Sequence, residues 1–181
     1  MADVSCVIQI AEAEVGYLEK ASISNLDDKT ANAGTNNYTK YARDLDAISG
    51  FYKGSKQGLA WCDVFVDWCF VQAYGVDEAK RLLCHGVLGA RCPNSAEYFN
   101  NNGQFYTSSP KIGDQIFFGT SISSAHHTGI VYAVDSKYVY TIEGNTSGAS
   151  SMISNGGGVC KKYYFLSNSK IAGYGRPAFD Q

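Results

Sequence analysis

No basic tract runs anywhere along this 181-residue chain, and its formal net charge is −2. The electrostatic footprint of a nucleic-acid binder is therefore missing. No stretch approaches the roughly 20 apolar residues needed to cross a bilayer, so membrane insertion is not expected. A secretory start is lacking too. Residues 1–19 carry Asp3, Glu12, Glu14 and Glu19 where a signal needs a basic head and an apolar core. Synthesis in the cytoplasm, or a leader already removed, is the resulting expectation. Charged residues are scarce at 18% against 45% hydrophobic, the balance of a folded globular protein rather than a disordered one. The length suits a single domain, residues 1–181, with one sizeable core.

Six cysteines are present, at 6, 62, 69, 84, 92 and 160. A chain of this length needs no disulfide framework, so most of them read as small buried apolar residues. Cys84 and Cys92 flank His85, but the spacing fits no zinc pattern. Tyrosine is abundant, with 13 residues, some able to stack on sugars and many simply core.

The first half of the sequence has helical periodicity. Val4, Val7, Ile8, Ala11, Val15 and Leu18 recur at spacings of three and four. Residues 22–37 are polar and loop-like. Tyr38, Tyr41, Ala42, Leu45 and Ile48 predict a second helix closed by Gly50, and residues 61–74 a third ended by Gly75. One or two shorter helices are expected over 76–100, with an irregular link near 91–93. The second half turns β-rich: 115–118, 129–134, 137–142, 159–166 and 171–174 read as strands, with Asp135-Ser136 as a hairpin turn. Residues 174–177 read as a domain boundary. Helices followed by strands predict an α+β domain with an antiparallel sheet.

Cys62 is the most informative position. It follows a glycine-bearing turn and opens a helix, where free N–H groups and the positive dipole end stabilise a thiolate. Those N–H groups also suit an oxyanion formed when sulfur attacks an amide carbonyl, and Gln57 is a candidate for an added side-chain donor. His127 heads a strand-like run and supplies the imidazole such a thiol needs; His126 competes, but neighbours on a strand face opposite ways. Glu143 and Asn145, spaced by two, fall on one face of an extended segment. Glu143 is the candidate acceptor for the ring Nδ1–H, and Asn145 is expected to orient a neighbour or a substrate polar group.

These blocks carry a resemblance. The run Trp61-Cys62-Asp63-Val64-Phe65-Val66-Asp67-Trp68-Cys69, the entry Pro110-Lys111-Ile112-Gly113-Asp114, the block His127-Thr128-Gly129-Ile130-Val131 and the tail Ile142-Glu143-Gly144-Asn145 resemble the CHAP amidases and peptidases. These are relatives of the NlpC-type hydrolases, and the overall style is similar to prophage and mobile-element endolysins. The resemblance implies a papain-like CHAP fold, N-terminal helices packed on a central antiparallel sheet, and a thiol hydrolase of bacterial peptidoglycan. Cys62, His127, Glu143 and Asn145 would be its catalytic residues, and aromatics such as Trp61 or Tyr98 are expected in the substrate groove. Action on the wall would then require release or export, and a C-terminal wall-binding module is a further expected partner. No cofactor is implied, although some phage relatives bind calcium. The matching segment here, Asn25-Leu26-Asp27-Asp28-Lys29-Thr30, offers two carboxylates where calcium takes six to eight oxygens, so no calcium ligand is assigned. The same residues leave three readings open: an N-acetylmuramoyl-L-alanine amidase or a stem-peptide or cross-bridge endopeptidase, a non-catalytic wall-binding module, and a thiol protease acting on proteins.

Overall fold

The computed structural model describes residues 2–148 and 155–179. Five helices precede or flank six strands: α1 (Val4–Ala13), α2 (Lys40–Asp46), α3 (Cys62–Tyr74), α4 (Val76–Leu82), α5 (Cys92–Asn101), β1 (Phe105–Tyr106), β2 (Gln115–Phe118), β3 (His127–Val134), β4 (Tyr138–Thr146), β5 (Gly158–Phe165) and β6 (Ile171–Gly175). The strands form one antiparallel sheet in the order β1-β6-β2-β3-β4-β5. The α+β expectation and its helix-then-strand order hold.

α3 is the central helix. It packs against α1, α2 and α4 on one side and against β3 and β4 on the other. Residues 62–70 are buried without a break, as a helix enclosed on all sides requires. α1 and α2 begin on side-chain caps, Asp3 accepting from the Ser5 N–H and Thr39 from the Ala42 N–H. α3 has no such cap. Its first N–H groups are therefore left for whatever lies at the Cys62 end.

Two elements differ from the sequence reading. α1 stops at Ala13, because the chain turns at Gly16 (φ 93°) and Leu18 leaves to bridge Gly158. The two-residue edge strand β1, which has no room for a period-two pattern, was not anticipated. The segment 174–177 is tied into the fold. Tyr174 and Gly175 belong to β6, and the Arg176 guanidinium is held by the Asp114 carboxylate at 2.8 and 3.0 Å. The hairpin between β3 and β4 forms as expected, with Asp135 Oδ1 accepting the N–H groups of Lys137 and Tyr138.

Apolar side chains fill both faces of the sheet. The helix-facing core joins Phe65, Phe70, Phe99, Phe117, Ile130 and Ile142. A smaller cluster on the other face joins Ile116, Phe118, Val131, Val139, Tyr164 and Tyr174. Among the described residues, no helix is long and apolar enough to cross a membrane.

Candidate active site

The site gathers at the head of α3. Cys62 is the first residue of that helix and 6% exposed. His127 opens β3 and is fully buried, whereas His126 is exposed and turned to the Ser124 carbonyl. Of the two rings, His127 is the one brought to Cys62, since thiol and imidazole are near enough for each to shift the other's pKa.

Glu143, also fully buried, reaches His127 from β4, its Oε2 lying 2.8 Å from Nε2. The sequence reading placed this bond at Nδ1, and the structure reverses the ring. Glu143 takes Nε2, while Nδ1 makes no hydrogen bond of its own and is left on the Cys62 side of the pairing. Room for the carboxylate comes from Gly129, where a Cβ would sit 2.6 Å from Glu143 Cγ and 2.9 Å from the Ile142 carbonyl oxygen. The other oxygen, Oε1, accepts from the Thr141 hydroxyl at 2.6 Å. Thr141 stands two residues away on the same strand face, a relation the period of two makes readable. The Phe118 ring lies 5.6 Å from His127 and 4.7 Å from Tyr164. The Tyr164 hydroxyl is buried without a hydrogen-bond partner, and its pKa is raised by burial and then by the Glu143 charge.

Asn145 does not continue the extended strand. Its φ of 54° marks an irregularity where the β4–β5 register shifts between Glu143 and Thr146. Both polar atoms of its amide are buried and have no hydrogen-bond partner among the described residues, so it orients no neighbour there.

The electrostatics favour an ion pair. The Cys62 thiol is held well below its ordinary pKa, first by the adjoining Cys92 thiol, then by His127 and the Asp63 N–H, against burial, which raises it. For His127 burial lowers the pKa, but Cys62 and Glu143 together outweigh it and bring the value to about 9. Both shifts point to thiolate beside imidazolium. Below them lies a polar brace. Asp63 Oδ1 accepts from Gln115 Nε2 at 2.9 Å, Oδ2 accepts from the Ser95 hydroxyl at 2.7 Å, and Gln115 also reaches Thr128 Oγ1 at 3.0 Å. α3, α5, β2 and β3 are thereby fixed around the two reacting groups.

Two sequence expectations are corrected. The Gln57 amide is turned to Thr39, its Oε1 accepting the Thr39 N–H and its Nε2 donating one hydrogen to the Thr39 carbonyl, both at 2.9 Å. It braces the start of α2 rather than the Cys62 end. Trp61 is fully buried, with its indole N–H given to Glu19 at 2.8 Å, so it lines no groove. Cys92, in contrast, was not singled out as a site residue, and nothing in its sequence neighbourhood announces that its sulfur lies 3.8 Å from that of Cys62. Cys84 bonds Gln104 instead, and the His85 ring packs on Phe51, where burial lowers its pKa to about 4. In the segment compared with the calcium loop of phage relatives, Asp27 is paired with Arg43 and Asp28 closes a turn on Thr30 and Ala31. Among the described residues, no cluster of three or more His, Cys, Asp or Glu is arranged to hold a metal.

A helix-borne thiol set against an imidazole from the sheet, itself held by a carboxylate, is the papain-like layout of a thiol hydrolase. The chain belongs to the CHAP domain family, whose family model matches residues 54–145. No curated protein matches it. Two solved structures share the fold. One is the crystal structure of Ly7917 with the hydrolyzing product of MDP (TM-score 0.54, 16% identity, 97% of this chain and 62% of that one). The other is Ly7917 itself (TM-score 0.53, 17% identity, 96% and 62%). The chain thus spans less than two thirds of the length of these neighbours.

Proposed function

We propose that this protein is a peptidoglycan hydrolase that cuts amide bonds by acyl transfer to Cys62. The observation that carries the reading is the buried Cys62–His127–Glu143 arrangement, with Glu143 2.8 Å from the imidazole. CHAP membership supports the chemistry. A fold neighbour captured with the hydrolyzing product of MDP supports the substrate class.

In the proposed reaction the Cys62 thiolate attacks the amide carbonyl. The developing oxyanion is met by the N–H of Cys62 at the uncapped start of α3, without Gln57. The imidazolium of His127 gives its proton to the departing amine, and the neutral ring then draws a proton from water to release the thioester. Glu143 keeps the ring in place and stabilises its positive form. Asn145, buried with its amide unspent, is suited to a polar group of the substrate. No step requires a cofactor. Of the two bonds, the one joining N-acetylmuramic acid to L-alanine is the one we assign, which makes the protein an amidase.

Cys62→Ala is expected to abolish lysis of purified sacculi with the circular dichroism unchanged, and His127→Ala to be nearly as severe. His126→Ala should be mild. Digestion of defined muropeptides, with the fragments weighed, tests the bond. Cleavage within the stem peptide or cross-bridge would overturn the amidase assignment, and lysis surviving in Cys62→Ala would overturn the mechanism.

A further inference from the structure

The thiol of Cys92 forms no bond and passes no proton in the reaction just described, yet it lies against the nucleophile. The two sulfurs are 3.8 Å apart, both thiols are free, and their residues are 6% and 5% exposed. Each is the first residue of its helix, Cys62 of α3 and Cys92 of α5, and neither helix has a side-chain cap. The juxtaposition is built into the fold. Ser95, one turn into α5, donates to Asp63 at the head of α3 at 2.7 Å, and this buried bond clamps the two helix starts together. Among the described residues, no other two cysteine sulfurs make such a contact.

We propose that Cys62 and Cys92 form a two-cysteine redox site, in which a peroxide oxidises Cys62 and Cys92 resolves the product as a reversible disulfide. This rests on the reading of Cys62 as a reactive nucleophile. In the first step the Cys62 thiolate attacks one peroxide oxygen. The O–O bond breaks, a sulfenic acid forms, and the other oxygen leaves as hydroxide or alkoxide. In the second step the Cys92 sulfur attacks the sulfenic sulfur. The S–S bond forms, the S–O bond breaks, and hydroxide departs with the Cys92 proton as water. The dithiol has lost two electrons and the peroxide has gained them. An external dithiol reverses the reaction by exchange.

Three features of the site suit it to this chemistry. A thiolate, rather than a thiol, reacts with peroxide, and the Cys92 thiol first, then His127 and the Asp63 N–H, favour the thiolate. A bond of about 2.05 Å requires the sulfurs to close by about 1.8 Å, a movement of the order of one side-chain rotation. The Ser95–Asp63 bond holds the first turn of α5 against the head of α3, so the closure falls to the two cysteine side chains and the pair stays in reach. The consequence is protective. A sulfenic acid with no resolving thiol proceeds to the irreversible sulfinic acid, while one that is captured does not.

The test uses the full reduced chain, treated with hydrogen peroxide and digested without reductant. Peptide mass mapping is expected to find Cys62 joined to Cys92 with the loss of two hydrogens. Lysis of sacculi should fall in step and return on adding dithiothreitol. Cys92→Ala and Cys92→Ser, each compared with its own reduced rate, should recover about a tenth or less, with Cys62 carrying two added oxygens. Cys62 found as the sulfinic acid in the unaltered protein would overturn the proposal, as would equal recovery with and without Cys92. The mapping needs no turnover. A disulfide in a protein that leaves sacculi intact would therefore sink the hydrolase reading alone, and lysis without the disulfide would sink the redox pair alone.

Discussion

Glu143→Ala isolates the most consequential bond of the site. The carboxylate lies 2.8 Å from His127 Nε2, and both side chains are fully buried, so no water replaces what is removed. A hydrogen bond to a charged group in such surroundings is worth about 1.5–3 kcal/mol. At 1.36 kcal/mol per tenfold, and with the imidazolium needed in the rate-limiting proton transfer, kcat/KM should fall by about 10- to 150-fold. The pH profile carries a second signature. Glu143 helps raise the His127 pKa to about 9, so its loss lowers that value. The ion pair exists above the Cys62 pKa and below that of His127, so the alkaline limb of kcat/KM moves to lower pH. Glu143→Gln keeps the shape but not the charge and should fall between the alanine variant and the unaltered protein. The assay is turbidity loss of purified sacculi across pH, with the His127 ring protons followed by NMR. A Glu143→Ala protein within about twofold of the unaltered rate, with its alkaline limb unmoved, would refute the reasoning.

Gly129→Ala should imitate the loss of Glu143, because the new Cβ would lie 2.6 Å from Glu143 Cγ and displace the carboxylate; an unchanged alkaline limb would count against this packing. Trp61→Phe leaves the buried Glu19 carboxylate without its indole donor and should cost about 1–3 kcal/mol in denaturant unfolding, while KM for sacculi stays the same. Burial raises the Asp67 pKa from 3.8 to about 7, so the folded protein keeps this proton to higher pH than the unfolded chain does. Its contribution to stability therefore falls as pH rises from about 4 to 7, and Asp67→Asn should flatten the decline in Tm over that window; an equally steep decline would show that the group ionises freely.

Much of the fold was legible because its elements differ in period. β2 was read at its observed bounds, and the β3–β4 hairpin was marked by its turn residues. Cys62, His127 and Glu143 were likewise marked by local chemistry: a helix start, a polar strand head, an acidic residue on a neighbouring strand. Relations made through space were not legible. Which ring nitrogen meets Glu143 depends on the pose of a side chain. Gln57 turned out to brace Thr39 because a loop folds back on α2, and Trp61 was taken into the core by Glu19, far from it in sequence. Asp63 and Asp67 look like the polar side of an amphipathic helix, yet α3 has no solvent side over residues 62–70. Their carboxylates are buried instead, with Ser95 and Gln115 on Asp63 and Tyr52 on Asp67.

The reacting groups come from α3, β3 and β4, elements well separated along the chain. During synthesis the sulfur emerges long before the strand that bears its base. Until the sheet assembles around the helix, that sulfur is an unremarkable thiol with a pKa of about 8.5. On the proposed mechanism, a copy that stops before β3 holds the nucleophile without its base and does not cut.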